Sequence, residues 1–206
     1  MDKESKRIIR FVTNALTGGR LVLTVVFLVM ILYSPITGKS PSSNFLLIAF
    51  ILFVVTGLTD IVDGKIARAF NVTSKFGRIV EPMADKFMVC GAFFCFAIVD
   101  QPLMGQLPVS AQAMEILRWG TAIIIVAREL LVTVMRQIAE ARGINFAATV
   151  SGKLKMFLQA FAIGAVLIAW AYVDAQWGDW FIVQTYILML AATIISGFGA
   201  LRRPIK

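Results

Sequence analysis

Four carboxylates lie close together in an otherwise apolar part of the sequence. Asp60 and Asp63 end one apolar segment, and Glu81 and Asp85 open the next. Residues three or four apart share a helix face, so each segment offers two carboxylates to one cleft. Four facing carboxylates repel each other unless they share protons or bind a cation. Because the chain has no histidine, the oxygen donors favour Mg²⁺, Mn²⁺ or Ca²⁺.

The residues between these carboxylates indicate a phosphate ligand. Gly64 and Gly77 allow a ligand or another helix to approach the backbone closely, and Ala67 keeps the same face small. Arg68 can form two hydrogen bonds to a phosphate, and Ser74 adds a hydroxyl. The set favours a metal–diphosphate site. Ion pairing or lipid-headgroup contact would explain one such pair, but not the whole array.

The composition predicts that membrane helices position this site. Of the 206 residues 59% are hydrophobic and 16% are charged, with a mean hydropathy of +0.82. Soluble domains usually have about 45–50% apolar and ~25% charged residues. A spanning helix needs about 20 mostly apolar residues. Six stretches meet this requirement, near 18–35, 44–62, 82–100, 114–135, 153–173 and 181–201.

The basic residues predict the orientation of these six spans. Of the 20 lysines and arginines, all but Lys39 and Arg118 fall at the termini or beside the second and fourth links. Cytoplasmic loops carry the Lys/Arg excess, so both termini and the carboxylates should be cytoplasmic. Residues 1–13 alternate basic and apolar side chains, which predicts an amphipathic helix on the membrane surface. Residues 14–206 would form one membrane domain, with Pro82 in the first turn of its helix.

The carboxylate stretch resembles the signature of the CDP-alcohol phosphotransferase family, D-x2-D-G-x2-A-R-x8-G-x3-D-x3-D. In this chain the signature reads Asp60-x2-Asp63-Gly64-x2-Ala67-Arg68-x8-Gly77-x3-Glu81-x3-Asp85. Every spacing is intact. The one departure is Glu81, where the family has aspartate; glutamate keeps the charge and adds one methylene.

This resemblance implies an all-α integral membrane enzyme with six transmembrane helices that forms a homodimer. Two divalent ions, Mg²⁺ or Mn²⁺, would bridge the carboxylates and the diphosphate of a CDP-linked lipid. By position, Asp60, Asp63, Glu81 and Asp85 would hold metal. Asp85 would also be the catalytic base that takes the proton of the acceptor hydroxyl. The CDP-lipid pocket would be lined by Gly64, Ala67, Arg68, Ser74 and Gly77.

Further motifs resemble those of the bacterial phosphatidylglycerophosphate synthases within this family. They are N-x2-T-x2-R at 14–20, E-P-x-A-D-K at 81–86, A-R-E at 127–129 and G-K-x-K at 152–155. The resemblance implies CDP-diacylglycerol and glycerol 3-phosphate as substrates, and a bacterial inner membrane with the active site on its cytoplasmic face. No nucleic-acid partner is expected.

Four cations suit a dianionic acceptor phosphate. They are Arg128, Arg136, Lys153 and Lys155, near the predicted inner ends of the fourth and fifth spans. Alternatively, these cations only follow the charge bias of cytoplasmic loops. Arg128 and Glu129 could also be structural, with Glu129 paired to a basic residue on a neighbouring helix.

Three other functions stay open at this stage. The acceptor could be inositol phosphate or serine instead. The protein could be a CDP-lipid-binding homologue whose turnover Glu81 has impaired. A cation transporter or channel would spread its acidic residues through the depth of the membrane, whereas these four cluster at one face.

Overall fold

The computed structural model describes residues 3–69, 75–103, 105, 107–143 and 150–202. Within these ranges all regular secondary structure is helical, as predicted, and there is no strand. The helices are α1 (Lys3–Ile31), α2 (Tyr33–Thr37), α3 (Ser43–Ala69), α4 (Lys75–Ile98), α5 (Ala111–Ala141), α6 (Val150–Tyr172) and α7 (Gln176–Leu201). Six of them are long, and α2 is a short helix after α1.

The long helices extend beyond the apolar stretches from which they were predicted. Helix α1 runs without a break from Lys3 into the first apolar stretch and ends at Ile31. The basic segment is therefore part of a longer helix, because Gly18 and Gly19 lower helix propensity without breaking the helix. Whether the basic segment lies on a membrane surface stays a prediction.

The predicted position of Pro82 is wrong. Helix α4 begins at Lys75, so Pro82 lies in the third turn and not in the first. A proline at this depth leaves one carbonyl of the preceding turn without its helical donor. Membrane helices tolerate such prolines because neighbouring groups satisfy the freed carbonyl. Residues 75–81, which were expected to lie before the helix or in its first turn, are therefore part of α4.

The contacts divide the chain into two units, of which the first is Met1–Ala92. Its core lies between α1 and α3. The rings of Phe27 and Phe53 are 5.4 Å apart. A Cβ added to Gly91 of α4 would lie 2.7 Å from Cδ1 of Leu28, so a side chain at position 91 would require the end of the Leu28 side chain to move.

The second unit is Phe93–Lys206, and α7 is its central helix because both α5 and α6 pack against it. Ile163, Leu167 and Tyr186 are almost completely buried between these helices. The ring of Phe93 meets that of Tyr186 edge-on, with centroids 6.0 Å apart. Apolar packing therefore holds three long helices side by side.

Large apolar side chains are exposed on every long helix. Examples on different helices are Val22, Ile48, Phe87, Ile116, Phe157 and Ile195. Soluble proteins rarely expose so much apolar surface, whereas a lipid-facing surface requires it. Helices α6 and α7 are long and apolar enough to cross a membrane. Shorter apolar stretches occupy Gly18–Ile31, Ser43–Thr59 and Lys86–Ile98.

Candidate active site

The predicted metal ligands lie on two helices. Asp60 and Asp63 are near the end of α3, and Glu81 and Asp85 are in the first half of α4. The backbone at these positions is helical, as the spacing argument requires. Their side chains lie outside the described part of the structure, so their convergence on one cleft stays a prediction. Among the described residues no three acidic or cysteine side chains form a metal-binding group.

The predicted CDP-lipid residues follow the same two helices. Gly64, Ala67 and Arg68 occupy the last turns of α3, and Gly77 occupies the first turn of α4. Their surroundings are outside the described part, and Ser74 lies outside the described residues altogether.

A buried ion-pair cluster joins α5 to α6. Oε1 of Glu129 accepts a hydrogen bond from Nη1 of Arg128 at 3.0 Å and another from Nζ of Lys155. Glu129 is only 7% exposed and Lys155 only 4%. Buried charges are costly unless they are paired and hydrogen-bonded. The predicted alternative that Glu129 pairs with a basic residue on a neighbouring helix is confirmed.

Arg128 also lies against α7. A Cβ added to Gly197 would lie 3.3 Å from Cγ of Arg128, so the absence of a side chain there leaves room for the arginine stem. Nε of Arg128 is buried and has no hydrogen-bond partner among the described residues. The guanidinium therefore keeps donor capacity after its bond to Glu129, as an anion-binding arginine does.

More polar side chains continue this cluster along α6 and α7. Nε2 of Gln159 donates to Oγ1 of Thr193 at 3.4 Å, and Oγ1 of Thr193 donates to the carbonyl of Met189 at 2.8 Å. Gln159, Thr193 and Ser196 are each buried. None of these three residues was predicted from the sequence as part of the site. The signal was available as polar residues inside apolar stretches, with Thr193 and Ser196 one turn apart.

The four predicted acceptor-binding cations do not form one group. The structure brings Arg128 and Lys155 together through Glu129, whereas Arg136 and Lys153 are exposed. Lys153 and Lys155 are two residues apart, which turns them about 160° from each other on a helix. Only Lys155 therefore faces the other helices. Among the described side chains of the cluster, two are positively charged and one is negatively charged.

Comparison with known proteins gives a family match that covers both the carboxylates and the buried cluster. The sequence model of the CDP-alcohol phosphatidyltransferase family matches residues 10–196. This range includes the four carboxylates and the buried cluster.

Individual relatives are similar over most of the chain. The chain is 34% identical over 155 residues to a probable phosphatidylglycerophosphate synthase of Mycobacterium tuberculosis, covering 75% of this chain and 65% of the relative. It therefore spans just under two thirds of that protein's length. The CDP-diacylglycerol–glycerol-3-phosphate 3-phosphatidyltransferase of Rickettsia prowazekii is 28% identical, with 94% of each chain covered. The protein of the same name from Bacillus subtilis is 30% identical to this chain, with 75% of each chain covered.

Proposed function

The chain belongs to the CDP-alcohol phosphatidyltransferase family, and we propose that it transfers the phosphatidyl group of CDP-diacylglycerol to glycerol 3-phosphate. The observation that carries the proposal is the family match over residues 10–196. The relatives from Rickettsia prowazekii and Bacillus subtilis are named for this reaction. The products would be phosphatidylglycerophosphate and CMP.

In the proposed reaction one phosphorus–oxygen bond forms and another breaks. The hydroxyl oxygen of glycerol 3-phosphate bonds to the phosphorus of the phosphatidyl group, and the bond to CMP breaks. The hydroxyl proton goes to the carboxylate of Asp85, which must lie within hydrogen-bond reach of that hydroxyl. Gly64, Ala67, Arg68, Ser74 and Gly77 would hold the CDP moiety.

The donor set of the two helices fits Mg²⁺ or Mn²⁺. Asp60, Asp63, Glu81 and Asp85 supply only carboxylate oxygens, which hard divalent cations prefer. When bound, such ions offset the negative charge of the diphosphate and of the departing CMP. Two ions are proposed because four carboxylates are available.

The buried cluster supports a phosphorylated acceptor. Arg128 and Lys155 both pair with the carboxylate of Glu129, so two cations lie beside one another inside an apolar helix bundle. Serine as the acceptor would give these buried cations no phosphate to bind. Arg136 and Lys153 are exposed, and we propose that they attract the anion before it reaches Arg128 and Lys155.

The membrane setting is part of the same proposal. We infer six spans, both termini in the cytoplasm and an active site at the cytoplasmic face of a bacterial inner membrane. The charge bias of the links and the exposed apolar side chains support this orientation. We also propose a homodimer.

The test measures CMP release by the purified protein in detergent with CDP-diacylglycerol. The acceptor panel contains glycerol 3-phosphate, inositol phosphate and serine, each with and without Mg²⁺ or Mn²⁺. We expect metal-dependent release with glycerol 3-phosphate. Release with another acceptor alone would refute the assigned acceptor but keep the reaction class. No release from the folded protein would favour a CDP-lipid-binding homologue that Glu81 has impaired.

A further inference from the structure

Helix α7 carries none of the motifs found in the sequence, yet one of its glycines lies against the buried ion-pair cluster. Gly197 is buried, and a Cβ added to it would lie 3.3 Å from Cγ of Arg128. That distance is tighter than nearly all contacts of real Cβ atoms, so any other residue at this position would crowd the arginine stem. The placement of Arg128 on α5 therefore depends on α7 as well as on its own helix.

A hydrogen bond between α6 and α7 shows which residues of the two helices lie at the same level. The helices are joined by the short link at 173–175, and helices with such a link pack antiparallel. Nε2 of Gln159 on α6 donates to Oγ1 of Thr193 on α7 at 3.4 Å. One turn back from Gln159 is Lys155, and one turn forward from Thr193 is Gly197. Because the pair is antiparallel, Gly197 lies at the level of Lys155.

Both cations of the cluster thus meet α7 near one glycine. Lys155 lies level with it, and the stem of Arg128 lies against it. Nη1 of Arg128 donates to Glu129 at 3.0 Å, whereas its Nε is buried and has no hydrogen-bond partner among the described residues. Buried donors are normally satisfied. The direction of the guanidinium therefore determines whether a bound anion can accept a hydrogen bond from Nε.

We propose that Gly197 is a positioning residue that holds the guanidinium of Arg128 beside Lys155 in the direction that an acceptor phosphate needs. This role rests on the proposed function, because it places the phosphate of glycerol 3-phosphate at the cluster. The donors of an arginine lie in one rigid plane, so a small movement of the stem redirects all of them together. Gly197 does not touch the substrate; it acts through Arg128.

Gly197→Ala tests the role, because the new Cβ would require the Arg128 stem to move by a few tenths of an ångström. A misplacement of about 1 Å can cost about 100-fold in rate, so this smaller movement should raise the KM for glycerol 3-phosphate about threefold to tenfold. The KM for CDP-diacylglycerol should stay near that of the parent protein, because the CDP-lipid residues are on other helices. Equal rises in both KM values would indicate a general disturbance and would contradict the role.

Gly199→Ala is the matched control on the same helix. Gly199 is exposed, and a Cβ added there meets nothing within 4 Å. Alanine favours the helix at both positions, so both variants should melt close to the parent temperature or above it. Only Gly197→Ala should combine a near-parental melting temperature with a higher acceptor KM, which loss of structure alone does not produce. The same acceptor KM in both variants would overturn the proposal.

A double variant shows whether the effect passes through Arg128. Arg128→Ala removes the Cγ atom that the new Cβ would meet, so adding Gly197→Ala to it should raise the acceptor KM no further. Independent, multiplying effects would contradict the proposal. If Gly197→Ala alone does not fold, the double variant should fold. If Arg128→Ala folds and the double variant does not, the crowding is with another residue and the proposal is wrong.

A binding measurement separates this role from the proposed reaction. Inorganic phosphate is titrated into the full chain in detergent, and its Kd is obtained from the rise in melting temperature. We expect the Kd of Gly197→Ala to be about threefold to tenfold higher than that of the parent, and the Kd of Gly199→Ala to be unchanged. A parent that binds phosphate but releases no CMP would refute the reaction, while the weaker binding by Gly197→Ala would still support the role. A parental Kd for Gly197→Ala, or a parent protein that binds no phosphate, would overturn it.

Discussion

Replacing Glu129 by glutamine tests whether the buried cluster depends on one shared carboxylate. The glutamine side chain would keep the shape and one acceptor oxygen but remove the negative charge between Arg128 and Lys155. Lys155 would then be a cation that is 4% exposed and has lost the carboxylate of Glu129. Breaking a buried pair by removing one partner costs about 3–5 kcal/mol. We expect the lower end, about 3 kcal/mol, because glutamine still accepts a hydrogen bond.

The expected shift in melting temperature follows from the size of the chain. For 150–250 residues, 1 kcal/mol corresponds to about 2–4 °C, so Glu129→Gln should melt roughly 6–12 °C lower. The assay is thermal unfolding in detergent with a thiol-reactive dye, because neither Cys90 nor Cys95 forms a disulfide and Cys95 is buried. Asp100→Asn is the matched control. It also removes a carboxylate from an arginine, but the Asp100 side chain is 70% exposed, so the loss should be about 1 kcal/mol or less.

A second substitution separates charge pairing from packing. Adding Lys155→Met to Glu129→Gln removes the buried cation that faced Glu129. The double variant should therefore be more stable than the sum of the two single losses predicts. A melting temperature of Glu129→Gln within about 2 °C of the parent, or strictly additive losses, would refute the reasoning.

Four further predictions concern turnover, and each is checked by steady-state kinetics of CMP release. Asp85→Asn should lower kcat at least about 100-fold, because it removes both a metal ligand and the proposed base; a near-parental rate would exclude that role. Arg128→Ala should raise the KM for glycerol 3-phosphate about 10- to 100-fold, and that for CDP-diacylglycerol far less; equal rises would indicate a structural role. Glu81→Asp should increase kcat if the extra methylene displaces a metal ligand, and an unchanged kcat would show that the site accommodates glutamate. Lys153→Gln should reduce kcat/KM less than Lys155→Gln does, because Lys153 is exposed and Lys155 is buried in the cluster; the opposite order would exclude the buried cluster as the main anion site.

The sequence predicts the long helices well because each contains an extended apolar stretch, although among the described residues only those of α6 and α7 are long and apolar enough to cross a membrane. Their ends are less predictable, because polar residues continue a helix when nothing breaks it. The continuous α1 and the interior position of Pro82 both follow from this. Periodicity shows that Lys153 and Lys155 point in different directions, but not which of them is buried. That depends on the position of α7, which the local sequence does not contain.

For the candidate site, as for the fold, the sequence predicts on which helix a residue lies better than it predicts which residues meet. The signature places the carboxylates on α3 and α4 by spacing alone. The bridge from Glu129 to Lys155 was foreseen only as an alternative, because residues 26 positions apart meet only after the helices pack.

The most direct test of the central claim is transfer of radiolabelled glycerol 3-phosphate into lipid. The purified protein is mixed with CDP-diacylglycerol and Mg²⁺, and the label in the organic phase is counted against CMP released. The Asp85→Asn variant, assayed in parallel, serves as the negative control. We expect one labelled lipid molecule for each CMP with the parent protein and almost none with the variant. Release of CMP without label in the lipid, or equal transfer by Asp85→Asn, would contradict the account.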